Sequence, residues 1–84
     1  MTNSEFRQRL TELLKKNGFR KISISTSLFG RRARITCMDP KGNKRYLNGF
    51  IEYEKGVERV AIESASDDYD WVDEFEAYSA LMED

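Results

Sequence analysis

The sequence predicts an α+β fold of order α-β-β-β-β-α, a four-stranded antiparallel meander with an N-terminal and a C-terminal helix packed on one face. Three observations carry this. Apolar residues recur with helical spacing only at the two ends of the chain. Four stretches between them alternate apolar and polar side chains with period two. Turn signals separate these stretches: Phe29-Gly30-Arg31-Arg32, Asp39-Pro40-Lys41-Gly42-Asn43 and Lys55-Gly56. Eighty-four residues make one domain, 1–84. A chain of that size buries only roughly 60–65% of its unfolded surface, so the core is thin and rests on a few large side chains.

Thr2 and Glu5 have the T-x-x-E spacing of a capping box and start the first helix. Phe6, Leu10, Leu13 and Leu14 then form one apolar stripe. Lys15 and Lys16 suit the negative end of the helix dipole. Gly18 takes the left-handed position that ends the helix, and Phe19 folds back on Leu14 as in a Schellman motif. Ile22, Ile24, Thr26 and Leu28 alternate with three serines as a first strand. That strand is a sheet edge with no charge between Ile22 and Leu28. Ala33, Ile35 and Cys37 point inward on the second strand.

The third strand, Lys44–Tyr53, pairs across the Asp39–Asn43 turn. The expected register sets Ile35 opposite Leu47 and Ala33 opposite Gly49 inward, with Arg34 opposite Asn48 and Thr36 opposite Tyr46 outward. A two-residue turn at Lys55-Gly56 sets Ile51 opposite Val60 inward and Glu52 opposite Arg59 outward, a pairing of opposite charges. The fourth strand is Val57–Ser64. Ser66 or Asp67 caps the second helix, whose stripe is Trp71, Phe75, Tyr78 and Met82.

Charge is sorted along the chain. Residues 1–59 hold all fourteen bases and six acids, a net of +8, while residues 60–84 hold nine acids and no base. The overall −1 conceals this. Apolar residues at 39% and charged residues at 35% are those of a soluble globular protein. There is no apolar run of membrane-spanning length and no signal peptide, so no membrane partner is expected. A single cysteine fits a reducing, cytoplasmic setting.

An enzyme is hard to assemble from these residues. Histidine, the commonest general base, is absent. Cys37 has inward parity and belongs to the core. The five glycines are scattered, so no phosphate loop occurs. Asp67, Asp68 and Asp70 lack the glycine and distal glutamate of a calcium loop; no metal and no cofactor is expected.

Two surfaces remain. The first is acidic: Asp67, Asp68, Asp70, Asp73, Glu74 and Glu76, with Glu83 and Asp84 beyond. Carboxylates at helical i, i+3 and i+4 lie roughly 5–6 Å apart. Such a row is a coarse imitation of a phosphate backbone; read structurally, it is a solvated helix face. The second is the outward sheet face, with Arg34, Tyr46, Asn48 and Phe50, the serines Ser23, Ser25 and Ser27 at one side, and Arg31, Arg32 and Lys44 near the rim. Rings on a basic strand surface suit single-stranded nucleic acid; read structurally, they are packing sites for arginine stems.

The element order is similar to that of double-stranded-RNA-binding domains, whose final helix is basic where this one is acidic. Size and acidity resemble small phage-encoded inhibitors, anti-CRISPR proteins among them, and toxin-immunity proteins. The resemblance is one of architecture and charge and rests on no motif. The expectation is a non-catalytic inhibitor or adaptor. Its acidic helix engages a basic, nucleic-acid-handling groove of a larger protein. The alternative is a small nucleic-acid-binding module that uses the sheet face.

Overall fold

The computed structural model describes residues 1–27, 31–66 and 80–83. One helix, α1 (Asn3–Lys16), precedes strands β1 (Arg20–Thr26), β2 (Arg32–Met38), β3 (Lys44–Glu54), β4 (Val57–Ala65) and β5 (Ala80–Met82). The strands form one antiparallel sheet in the order β1-β2-β3-β4-β5.

Helix α1 begins and ends as its sequence dictates. The Thr2 hydroxyl accepts from the Glu5 backbone N–H at 3.1 Å. At the other end Gly18 has φ +85°, its N–H donates to the Lys15 carbonyl, and the Phe19 N–H reaches the Leu14 carbonyl, both at 3.0 Å. That pair of bonds is a Schellman closure. It drops the Phe19 ring into the core, where it is 3% exposed.

The expected registers across β2, β3 and β4 are all present. Ile35 faces Leu47, Ala33 faces Gly49, Arg34 faces Asn48 and Thr36 faces Tyr46. Ile51 faces Val60 and Glu52 faces Arg59. The Lys55-Gly56 turn has positive φ at both residues, +52° and +80°, the type I′ geometry that suits strand twist. At the β2–β3 turn the Asp39 carboxylate accepts from the backbone N–H groups of Lys41 and Asn43, both at 2.9 Å. Strand β1 begins irregularly: Lys21 has φ +51° and the pairing shifts between Arg20 and Ser23.

The predicted fourth strand is therefore followed by a fifth, which corrects the four-stranded meander. Ala80, Leu81 and Met82 pair with Glu63, Ile62 and Ala61. Met82 is not the end of a helical stripe; it lies exposed on the sheet, and its neighbour Leu81 packs on the core. The remainder of the predicted C-terminal helix, with Trp71, Phe75 and Tyr78, lies outside the described residues.

The core lies between α1 and one face of the sheet. Phe6, Leu10, Leu13 and Leu14 meet Ala33, Ile35, Cys37, Leu47, Val60 and Ile62. Burial pushes the Cys37 thiol up to about 11, so it stays protonated near neutral pH. Gly49 sets the depth of the helix. A Cβ there would lie 2.9 Å from both Leu10 methyl carbons, and 3.3 Å from the Ile35 methyl. Leu10→Ala should cost roughly 2–5 kcal/mol through the cavity it leaves. Gly49→Ala should cost roughly 1–3 kcal/mol through overpacking. Urea unfolding of the double variant should show a smaller loss than the sum, because shortening Leu10 makes room for the new methyl.

Candidate functional site

The outward face of the sheet is built from cross-strand rows. One row runs Ser25–Arg34–Asn48–Glu63, the next Arg32–Phe50–Ala61–Met82, and Ser23–Thr36–Tyr46–Ala65 lies on the other side of the first. Arg34, Tyr46, Asn48 and Phe50 therefore share one face, as their parity predicts, and Arg32, expected in the loop at the rim, joins them because β2 begins there. The face is not uniform. Ser25, Ser27, Arg32 and Arg34 are exposed, whereas Tyr46, Asn48 and Phe50 are half-buried and Ala61 is only 2% exposed. The open part lies over β1 and β2.

Tyr46 is not a bare stacking platform, because the Lys44 ammonium sits 5.2 Å from its ring centroid. Arg34, Tyr46 and Asn48 each also have an interaction partner within the molecule. At the open side, Ser25, Ser27, Arg32, Arg34 and Asn48 wall a groove of about 500 Å3. Thr26, Ala33 and Gly49 contribute its floor. Ala33 is buried in the core, the Thr26 hydroxyl accepts from Arg7 at 3.5 Å, and Gly49 abuts Leu10. Those three residues face the helix, so it is their main chain that underlies the groove. Among the described residues, none that lines this groove is acidic.

A second groove, at the β3–β4 turn, contrasts with the first. Its lining includes Arg9, Lys55 and Arg59 together with Glu54, Glu58 and Glu83, a balance of three against three. Its charges other than Lys55 are engaged within the molecule. Arg9 grips the Glu83 carboxylate as a fork, with Nε donating to Oε2 at 2.9 Å and Nη2 to Oε1. Arg59 donates from Nε to the Glu83 carbonyl at 2.8 Å and from Nη1 to Glu54. Glu58 pairs with the Met1 amino group at 2.9 Å. Arg31, expected at the rim of the sheet face, donates to the Tyr53 hydroxyl at 3.2 Å instead.

Asp67, Asp68, Asp70, Asp73, Glu74 and Glu76 lie outside the described residues. Glu83 is described, and it departs from the predicted acidic face. It sits beside Val60, whose N–H it accepts at 3.3 Å, on the helix side of the sheet. Sequence reasoning missed this clamp because Arg9 and Glu83 are 74 positions apart and only β5 joins them. The serines of β1 were visible by parity, but their role as groove walls depends on how the strand ends meet. No family model, curated protein or solved structure matches the chain.

Three carboxylates are held below their usual range. Asp39 is lowered first by the Asn43 backbone N–H and then by Arg45, Glu58 by the Met1 amino group, and Glu83 by Arg9. A carboxylate with a lower folded than unfolded pKa binds fewer protons when folded. Its stability contribution is full above the unfolded value and is lost as pH falls through the folded one. Thermal midpoints should hold steady from neutral pH to roughly pH 5 and then fall below about pH 4. Glu83→Gln should lower the midpoint at pH 7 and differ less from the parent at pH 3, read by circular dichroism.

Proposed function

We propose that the protein is a non-catalytic binding module that offers the open, basic part of its outward sheet face to a nucleic-acid strand. One observation supports this reading above others: adjacent rows bring Arg32, Arg34, Asn48 and Phe50 to one face, and the groove there has two guanidinium groups and, among the described residues, no acid in its lining. Guanidinium forks suit phosphate oxygens, and the serine hydroxyls and the Asn48 amide add neutral donors. Phe50, half-buried beside Arg32, leaves an edge for a base. Anisotropy of a labelled single-stranded oligonucleotide should rise with protein at 50 mM salt and much less at 200 mM. Arg32→Ala should reduce the salt slope by roughly 0.7, the value of one single-strand phosphate contact. No anisotropy change at low salt removes this reading.

A second reading has its own support in the charge partition. Nine acids without a base in residues 60–84 suit an inhibitor or adaptor of the anti-CRISPR or immunity-protein kind. In that role Asp67, Asp68, Asp70, Asp73, Glu74 and Glu76 engage a basic surface of a larger, nucleic-acid-handling protein. Glu83 is not part of that anionic set, since Arg9 and Arg59 hold it. The probe is a labelled oligo-arginine peptide. It should bind at low salt and lose most of its affinity with the double reversal Asp70→Lys, Glu74→Lys, while the thermal midpoint is kept. Affinity that survives both the reversal and high salt sinks the mimic.

A further inference from the structure

We propose that the outer edge of β1 pairs with the same edge of a second copy of this chain, antiparallel about Ser25, and so joins two sheets into one. Such pairing is independent of either binding reading above. It follows first from the direction of the main-chain groups. The Ser27 N–H donates to the Arg32 carbonyl at 2.8 Å. Bonded pairs alternate along an antiparallel ladder, so Ser25 and Ser23, opposite Arg34 and Thr36, also turn their N–H and C=O groups to β2. Ile24 and Thr26 turn theirs to the outside. β1 stands first in the strand order, and among the described residues no strand pairs with that side of it.

The sequence of the edge fits a second copy of itself. The run Ile22–Leu28 carries no charge and reads alike in both directions from Ser25: Ser23 mirrors Ser27, Ile24 mirrors Thr26 and Ile22 mirrors Leu28. A two-fold axis between the two Ser25 residues sets serine opposite serine on the outward face. On the helix side it sets Ile24 opposite Thr26 of the second copy, with their outward main-chain groups in bonding register. Ile22 and Ile24 are half-buried and already packed against the core, so the same pairing carries that apolar layer across the axis.

Charge selects the direction. Arg20 and Lys21 are both exposed at the start of β1. Antiparallel pairing holds those of the two copies at opposite ends, whereas parallel pairing stacks them. Sheet edges are ordinarily blunted by charge, bulge or brevity. At the far side of the sheet, β5 has three residues and is clamped through Glu83. β1 has seven, and its guards, Lys21 and the shift of register, lie only at its start. The contact is one strand wide and falls short of the roughly 1,200 Å2 that stable interfaces bury, so pairing is weak and concentration-dependent.

The test is sedimentation velocity together with amide hydrogen exchange of the full chain, from dilute solution to about 1 mM. The sedimentation coefficient should rise with concentration, and protection of the Ile24 and Thr26 amides should rise in step, while Ser23, Ser25 and Ser27 are protected throughout. Ser25 is exposed, so charge there leaves the core intact. Ser25→Lys and Ser25→Glu each set like charges face to face across the axis and should weaken association by roughly five-fold or more. An equimolar mixture of the two variants should restore it, since opposite charges then meet. A chain that stays monomeric throughout, or a mixture that associates no better than its components, overturns the proposal. Ile24 and Thr26 amides protected equally at every dilution also overturn it, because the chain then covers its own edge.

Discussion

The close approach of Leu10 to Gly49 governs the molecule. A helix can sit low on a sheet only where the central strand gives up a side chain. Gly49 in β3 does so, with small Ala33 beside it in β2. Leu10 fills the space and brings Phe6 and Leu14 down to full burial on either side. With a core this small, the one-sided seating of α1 decides which parity of every strand is interior. It thereby fixes Arg34, Asn48 and Ser25 on the other face. The groove exists because the same main chain that lies under Leu10 is left without side chains on its reverse.

Electrostatics follow the same division. The carboxylates on or near the helix side are absorbed by the body: Glu83 by Arg9 and Arg59, Asp39 by Arg45 and two backbone N–H groups, Glu58 by the Met1 amino group. Such partly buried, forked or multiply bonded pairs resist salt better than exposed ones. Among the described residues, the lining of the β1–β2 groove has no acid to play that part.

What was legible in the sequence was whatever a period or a turn encodes locally. The helix stripe, the Gly18 ending and the registers of β2, β3 and β4 follow from spacing and from turns whose geometry admits one pairing. Strand β5 was not legible. Three residues cannot display a period, and Ala80, Leu81 and Met82 are all good helix formers, so local propensity points away from the pairing that β4 imposes. The spacing of Trp71, Phe75, Tyr78 and Met82 also fits a helical stripe, which draws Met82 into the predicted helix. Of the candidate site, the shared face of Arg34, Tyr46, Asn48 and Phe50 was legible by parity, whereas Arg32 read as part of the loop before β2. Its division into an open and a closed part was not, because exposure depends on what packs above a residue. Lys44 over Tyr46 is one instance.

The chain returns to the sheet beside the point where it leaves it: β4 ends at Ala65, and Ala80 at the start of β5 pairs with Glu63. Arg9 and Arg59 secure that return through Glu83. A forked, partly buried pair is screened by salt less than an exposed contact is. Either proposed contact with a charged partner should therefore weaken with salt well before the Glu83 clamp does, which makes loss of binding separable from loss of the fold.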